Sequence, residues 1–267
     1  MTRIVNNCVA LVCLCLFWGQ SLRAADASHS EQIKWGNESV FNEEHNTLGL
    51  FSGVLGGQIV LAGGTSDDYS RWGRNAVCLS ENAGFALYED VLSKPLAYGA
   101  SITLSDGILC IGGRDSSQCY KDVFLVTMQQ GKLNVSEDWP PLPFPLSNAA
   151  GALLDNKVYL FGGRKSVSPS RLSDSFFVLD LSNKSRGWKE LPGYPGCVRE
   201  DAILVVQNNG VSPCLYLLGG QTETEEGLSS CLTDGYVYNP QLGKWSSLGS
   251  DFPKGICAAV ASGANHI

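Results

Sequence analysis

Histidine is scarce in this chain, and all three (His29, His45 and His266) lie near its ends. A copper oxidase that needs two His and a Tyr about one axis is thereby excluded. No two cysteines stand in CxxC spacing, so a zinc site is not supported. There is no GxSxG, no P-loop and no His/Cys/Asp nucleophile arrangement, which removes the common hydrolase and nucleotide-binding classes. Lys and Arg form no cluster, and the net charge of −7 argues against a nucleic-acid-binding surface. The longest apolar run, residues 8–18, is too short to span a bilayer comfortably.

That run instead reads as the core of a secretory leader. Arg3 supplies a weakly positive start, and Ala25-Asp26-Ala27 offers a small-x-small cleavage site, with Ala24 as an alternative. The expectation is a leader over 1–27, no stable membrane anchor, and a mature domain over 28–267 that is secreted or periplasmic. Cys8, Cys13 and Cys15 leave with the leader. Cys78, Cys110, Cys119, Cys197, Cys214, Cys231 and Cys257 remain, an odd number that cannot pair completely. Cys110 reads as a small hydrophobe in a core strand. Some of the others can bridge in an oxidising compartment, but no pairing is assignable.

What the chain has in quantity is glycine, thirty residues of it, and its placement is periodic. Four times a short apolar strand runs into Gly-Gly: Ile59-Val60-Leu61-Ala62-Gly63-Gly64, Ile108-Leu109-Cys110-Ile111-Gly112-Gly113, Val158-Tyr159-Leu160-Phe161-Gly162-Gly163 and Leu215-Tyr216-Leu217-Leu218-Gly219-Gly220. The doublets lie 49, 50 and 57 residues apart. A small-residue strand precedes each one, at 49–55, 98–104, 149–154 and 202–207. A polar loop and a third strand follow, clearest at 122–127, 175–181 and 235–238. Trp139, Trp188 and Trp245 then open an outer strand, punctuated by Pro140, Pro192 and Pro253. Four strands per repeat with Gly-Gly after the second define an all-β fold, a kelch-type β-propeller. Crowding where the inner strands converge accounts for the glycines, and each Trp is large enough to fill the wedge between blades.

Residues 31–48 contain Trp35 but no Gly-Gly, and they read as the outer strand of an unfinished blade. Residues 255–267 repeat the first-strand pattern and stop before a doublet. The expectation is four full blades with partial blades at both ends. An arc of that kind leaves apolar blade faces open, so self-association is expected.

Several segments resemble the cyclically permuted mutarotase family, relatives of bacterial N-acetylneuraminate (sialic acid) mutarotase with a six-bladed kelch propeller. They are Ala97-Tyr98-Gly99-Ala100-Ser101, Leu142-Pro143, Trp188-Lys189-Glu190-Leu191-Pro192, Pro195-Gly196-Cys197-Val198-Arg199 and Asp234-Gly235-Tyr236-Val237-Tyr238. The similarity runs through nearly all of the mature chain. It implies a sugar mutarotase or epimerase, an isomerase that interconverts anomers by acid–base ring opening without a cofactor. After the first doublet this chain has Thr65-Ser66-Asp67-Asp68 where the family continues Ala-Asn-Phe-Pro. By the same resemblance, the Glu and Arg proposed as catalytic fall on a blade that would follow Ile267, so no catalytic residue is assigned. Arg171 and Arg164 share a loop of similar look on a different blade, and the role is not carried over to them.

Ring opening needs a base for the anomeric hydroxyl and an acid for the ring oxygen, and an Arg can clamp a sugar carboxylate by paired hydrogen bonds. Arg114 and Arg164 directly follow doublets, Arg199 begins a first strand beside Glu200 and Asp201, and Tyr98 stands at another strand start. These four are the substrate-binding candidates. Each also has a plainer reading: a solvent-facing loop or inter-blade ion pair for Arg114 and Arg164, a buried pair tying two blades for Arg199, rim packing for Tyr98. Asp67 and Asp68 can serve as a base or hold calcium, or simply mark a turn. Asn37, Asn134 and Asn183 begin glycosylation-like triplets. Three functions remain in view: a sugar mutarotase, a non-catalytic kelch module binding carbohydrate or protein, and an inactive truncated remnant of the enzyme.

Overall fold

The computed structural model describes residues 48–80, 84–224, 227–249 and 251–259. The expected leader, Trp35 and residues 260–267 lie outside the described residues. Among the described residues, sixteen of twenty strands form four successive four-stranded antiparallel sheets, and the other four form two small hairpins. The first blade comprises β1 (Phe51–Leu55), β2 (Gln58–Ala62), β3 (Ala76–Ser80) and β4 (Gly84–Tyr88). The second comprises β5 (Ala100–Thr103), β6 (Ile108–Ile111), β7 (Val123–Gln129) and β8 (Lys132–Ser136). The third is β9 (Ala150–Leu154), β10 (Lys157–Phe161), β13 (Phe176–Asp180) and β14 (Lys189–Glu190), with a small hairpin of β11 (Arg164–Ser166) and β12 (Arg171–Leu172). The fourth is β15 (Ile203–Asn208), β16 (Pro213–Leu218), β19 (Gly235–Asn239) and β20 (Lys244–Ser247), again with a hairpin, β17 (Gln221–Glu223) and β18 (Ser229–Cys231). One 3-10 turn, Leu181–Arg186, precedes β14. Among the described residues no helix is long and apolar enough to cross a membrane.

The unbroken apolar runs before each doublet follow from blade stacking. Side chains alternate faces along a strand, and a strand covered on both faces is apolar at every position. In β6, Ile108 and Cys110 pack against the first blade, whereas Leu109 and Ile111 pack against the third. In β10, Val158 and Leu160 face the second blade, and Tyr159 and Phe161 face the fourth. The core is thus three layers between four blades. Cys110 lies fully buried in the first of them, as a small apolar side chain should, and burial pushes its thiol pKa up.

The doublets have a specific structural cause. Gly112 adopts φ +63°, and a Cβ there would sit 2.2 Å from the Leu146 carbonyl oxygen of the linker to the next blade. The N–H of Gly113 donates to that same carbonyl at 2.8 Å. The other doublets repeat the arrangement: Gly64, Gly163 and Gly220 donate to the carbonyls of Leu96, Arg199 and Ile256. The crowding atom is therefore the next linker's backbone, and each doublet is an inter-blade clasp.

The tryptophans depart from the expected placement in two blades. Trp245 lies within β20, but Trp188 stands just before β14 and Trp139 follows β8. In the second blade, Gln130 and Gly131 both take positive φ, closing a tight two-residue hairpin between β7 and β8. The outer strand is thereby finished before Trp139 is reached. Trp139 and Trp188 nevertheless pack together at the layer between the second and third blades, where the Trp188 Nε1–H donates to the Pro140 carbonyl at 3.0 Å.

Cys231 and Cys257 form a disulfide joining β18 to the 251–259 segment, with Cα atoms 5.6 Å apart. Cys78, Cys110, Cys119, Cys197 and Cys214 are free.

Candidate functional site

The innermost strands β1, β5, β9 and β15 stand side by side, and each is approached through one residue in a left-handed conformation. Gly49, Tyr98, Asn148, Asp201 and Ala258 have φ of +65°, +60°, +55°, +52° and +49°. Their backbones form a hydrogen-bonded chain from blade to blade. The N–H of Tyr98 donates to Gly49 O at 2.7 Å, Asn148 to Tyr98 at 2.7 Å, Asp201 to Asn148 at 3.0 Å and Ala258 to Asp201 at 3.0 Å. These five positions border one cavity of about 200 Å³.

The residue after each doublet is bridged to the residue just before each left-handed position: Leu48 with Thr65, Ala97 with Arg114, Ser147 with Arg164, and Glu200 with Gln221. The two positions together deliver two side chains per blade to one face. This is why Tyr98, Arg114 and Arg164, distant in sequence, come together there.

The Arg114 guanidinium carbon lies 4.7 Å from the centre of the Tyr98 ring and 5.0 Å from that of Trp72. Tyr69 stacks on Tyr98 with ring centres 6.5 Å apart and planes inclined by 20°. Among the described residues the one acceptor for the guanidinium is the Asp115 carbonyl, at 3.4 Å. Among the described residues no carboxylate forms an ion pair with Arg114. Contact with aromatic rings does not occupy the N–H donors of a guanidinium, so those of Arg114 can serve a ligand. Burial pushes the Tyr98 phenol pKa up, reinforced by the neighbouring Tyr69 hydroxyl, so it stays protonated.

Arg164 has the opposite environment. Its Nε donates to Glu200 Oε2 at 2.9 Å and an Nη to Glu223 Oε1 at 3.0 Å, with Ser170 completing the cluster. Glu200 is only 4% exposed. Beside it, Asp201 accepts from Asn148 Nδ2 at 2.9 Å through one oxygen and from Gln221 Nε2 at 2.8 Å through the other. Burial raises the Asp201 carboxyl pKa above the ordinary range, and the two amide donors only partly offset this.

Arg199 lies away from this face, wholly buried. It forms a two-pronged pair with Asp234 at 2.7 and 2.8 Å, donates to Gly219 O at 2.7 Å and reaches the Tyr194 hydroxyl at 2.8 Å. Its guanidinium also lies over the Tyr194 and Tyr236 rings. Every one of its donors faces a protein acceptor. Asp68 shapes a turn by accepting from Ser66 and from the backbone and hydroxyl of Ser70. Those bonds lower its pKa to about 2.

Asn148, Gln221, Glu223, Tyr69 and Trp72 did not stand out in the sequence, and Asp201 stood out only as an acidic neighbour of Arg199. Gly49, Tyr98 and Asn148 each stand 14 residues before the first glycine of their doublet, so aligning the repeats on Gly-Gly would have exposed Asn148 as a counterpart of Tyr98. Asp201 stands 18 residues before Gly219, because the β15–β16 hairpin is longer, and that alignment misses it. Tyr69 and Trp72 carry no such register. They reach the site because the 66–70 turn folds the first loop back over Tyr98.

A clasped array of four-stranded blades with side chains gathered at the inner strand starts defines a kelch-type β-propeller. The solved structure described as "Structure of YjhT" superposes with a TM-score of 0.65 over 81% of this chain and 74% of that one, at 15% identity, a likeness of fold. Residues 139–266 match the family model described as NANM: N-acetylneuraminate epimerase. The N-acetylneuraminate epimerase of Yersinia pestis (strain Pestoides F) is 30% identical over 129 residues, 48% of this chain and 30% of the relative. That of Haemophilus influenzae (strain PittEE) is 31% identical over 131 residues, 49% and 32% of the two chains. A kelch domain-containing protein of Vibrio cholerae is 31% identical over 121 residues, 45% and 31% of the two. The chain is a kelch-type propeller whose residues 139–266 are similar to N-acetylneuraminate epimerases, and these alignments span about a third of the length of the curated relatives it matches. The sequence match is narrower than the near-complete similarity expected from the motifs, and it includes Asn148, Arg164 and Asp201 but not Tyr98 or Arg114.

Proposed function

We propose that the chain is a secreted sugar mutarotase acting on sialic acid or a closely related carboxylated sugar, opening and reclosing the ring by acid–base catalysis. The observation that carries this reading is Arg114, a guanidinium set against the Tyr98 and Trp72 rings with no carboxylate partner among the described residues. A sugar carboxylate is the ligand such a group accepts best, through two parallel charge-assisted hydrogen bonds. Tyr69, an exposed ring beside Tyr98, offers an apolar face against which a sugar can pack. Arg164 contributes by holding Glu200 and Glu223 at the edge of the same face. The relatives named as N-acetylneuraminate epimerases support the substrate class. The leader expected over residues 1–27 supports secretion.

The test is anomer equilibration followed by proton NMR. The protein should accelerate exchange between the anomers of N-acetylneuraminate by about 10²-fold or more over buffer, the scale of positioned acid–base catalysis. Glucose, which lacks the carboxylate, should gain far less. Binding of N-acetylneuraminate without acceleration would replace the enzyme by a carbohydrate-binding kelch module. Neither binding nor acceleration would defeat both.

A further inference from the structure

The left-handed positions of the inner ring carry an anomaly. A residue with a side chain is disfavoured in that conformation by about 1–2 kcal/mol; glycine is accommodated best, and Asn and Asp, whose short polar side chains bond locally, come next. Of the five positions, Gly49, Asn148 and Asp201 follow that preference, whereas Tyr98 and Ala258 do not. Ala258 carries a bare methyl, whereas Tyr98, Asn148 and Asp201 carry functional groups at three successive blades. All three border the same cavity, and strained residues of this kind persist where the strain serves a function.

Resting on the mutarotase reading above, we propose that Tyr98, Asn148 and Asp201 contact the sugar directly, with Asp201 as the catalytic residue that moves the proton. The Asp201 carboxylate takes the proton of the anomeric hydroxyl while the bond from anomeric carbon to ring oxygen breaks. The same proton is then delivered to the ring oxygen, giving the open-chain keto acid. Rotation about the neighbouring carbon–carbon bond and the reverse transfer close the ring on its other face. One bond breaks and re-forms, one proton makes a round trip, and no co-reactant is consumed.

The surroundings of Asp201 suit the task. Asn148 and Gln221 each donate to one carboxylate oxygen, fixing its plane and leaving each oxygen a further lone pair. The charged and titratable groups facing it are Glu200, Arg164 and the Tyr98 phenol. Glu200 is bound to Arg164, so the nearest like charge is neutralised in place. The raised carboxyl pKa makes Asp201 a stronger base than an exposed aspartate once ionised. A larger cavity of about 260 Å³, between the 92–96 and 137–141 linkers, has none of this. Its Lys94 and Asp122 are paired with each other.

The experiment compares wild type with Asp201→Asn, a nearly isosteric change to a residue that tolerates left-handed φ well. Anomer exchange of N-acetylneuraminate should fall by 100-fold or more, with sugar affinity changed by less than 10-fold. In wild type, the catalysed rate should rise with pH along a limb set by a carboxyl titrating above the ordinary aspartate value. An active wild type whose Asp201→Asn variant keeps its rate overturns the assignment and leaves the mutarotase reading standing. An active wild type without that pH limb also overturns it, even if the variant proves unstable. A wild type that does not accelerate exchange removes the mutarotase reading and this inference together.

Discussion

Replacing Arg199 with methionine is expected to destabilise the propeller by about 3–5 kcal/mol, a loss on the order of 10 °C in the thermal midpoint. The side chain is wholly buried and Asp234 is 27% exposed, so removing the guanidinium strands a largely desolvated carboxylate. It also abandons the Gly219 carbonyl and the Tyr194 hydroxyl. Arg74→Met is the matched control. The Arg74–Asp90 pair is 41% and 66% exposed, and pairs of that kind contribute about 0–1 kcal/mol.

The Arg199 effect carries a pH signature whose sign follows from Asp234. Burial alone would raise that carboxyl pKa, but the Arg199 hydrogen bonds and charge outweigh it and the net displacement is downward. A lowered folded-state pKa contributes stability that is fully present above the unfolded value of about 3.9. It is lost as pH falls through the folded value. The gap between wild type and Arg199→Met should therefore be widest near neutrality and narrow below about pH 4. Thermal or urea melts across pH 3–7 check this. A pH-independent gap, or equal losses for Arg199→Met and Arg74→Met, would contradict the account of the ion pair.

Gly112→Ala is expected to cost roughly 2–5 kcal/mol, combining the left-handed penalty with overpacking against a backbone atom. The new Cβ would meet the Leu146 carbonyl at 2.2 Å, and that oxygen cannot retreat without releasing the Gly113 N–H. Gly131→Ala separates the two contributions within the same blade. Gly131 has φ +74° but nothing within 4 Å of the added Cβ, so it should lose only about 1–2 kcal/mol. Equal losses at the two sites would mean that conformation alone selects the doublet and that the inter-blade clasp is incidental.

The doublets made the architecture legible because the contact that requires them recurs at every blade and needs glycine in each. The third strands were legible for a related reason: β7, β13 and β19 are apolar and lie near the expected boundaries. The outer strand β8 was not, since Lys132-Leu133-Asn134-Val135-Ser136 buries only one face and reads as a polar connector. Trp139 marked the blade boundary correctly while misplacing the strand. At the site, Arg114 and Arg164 stood out because they adjoin a visible landmark. Asp201 did not, because its distinguishing feature is a backbone conformation, and aspartate adopts many. Arg199 looked like a site residue for the same local reasons as the others. Only the fold shows its donors committed to Asp234, Gly219 and Tyr194.

The most direct measurement is a crystal structure of the protein with N-acetylneuraminate. The sugar carboxylate should lie against the Arg114 guanidinium, with the anomeric hydroxyl within hydrogen-bonding distance of Asp201. A sugar bound away from the ring of left-handed residues, or one whose carboxylate avoids Arg114, would contradict the account.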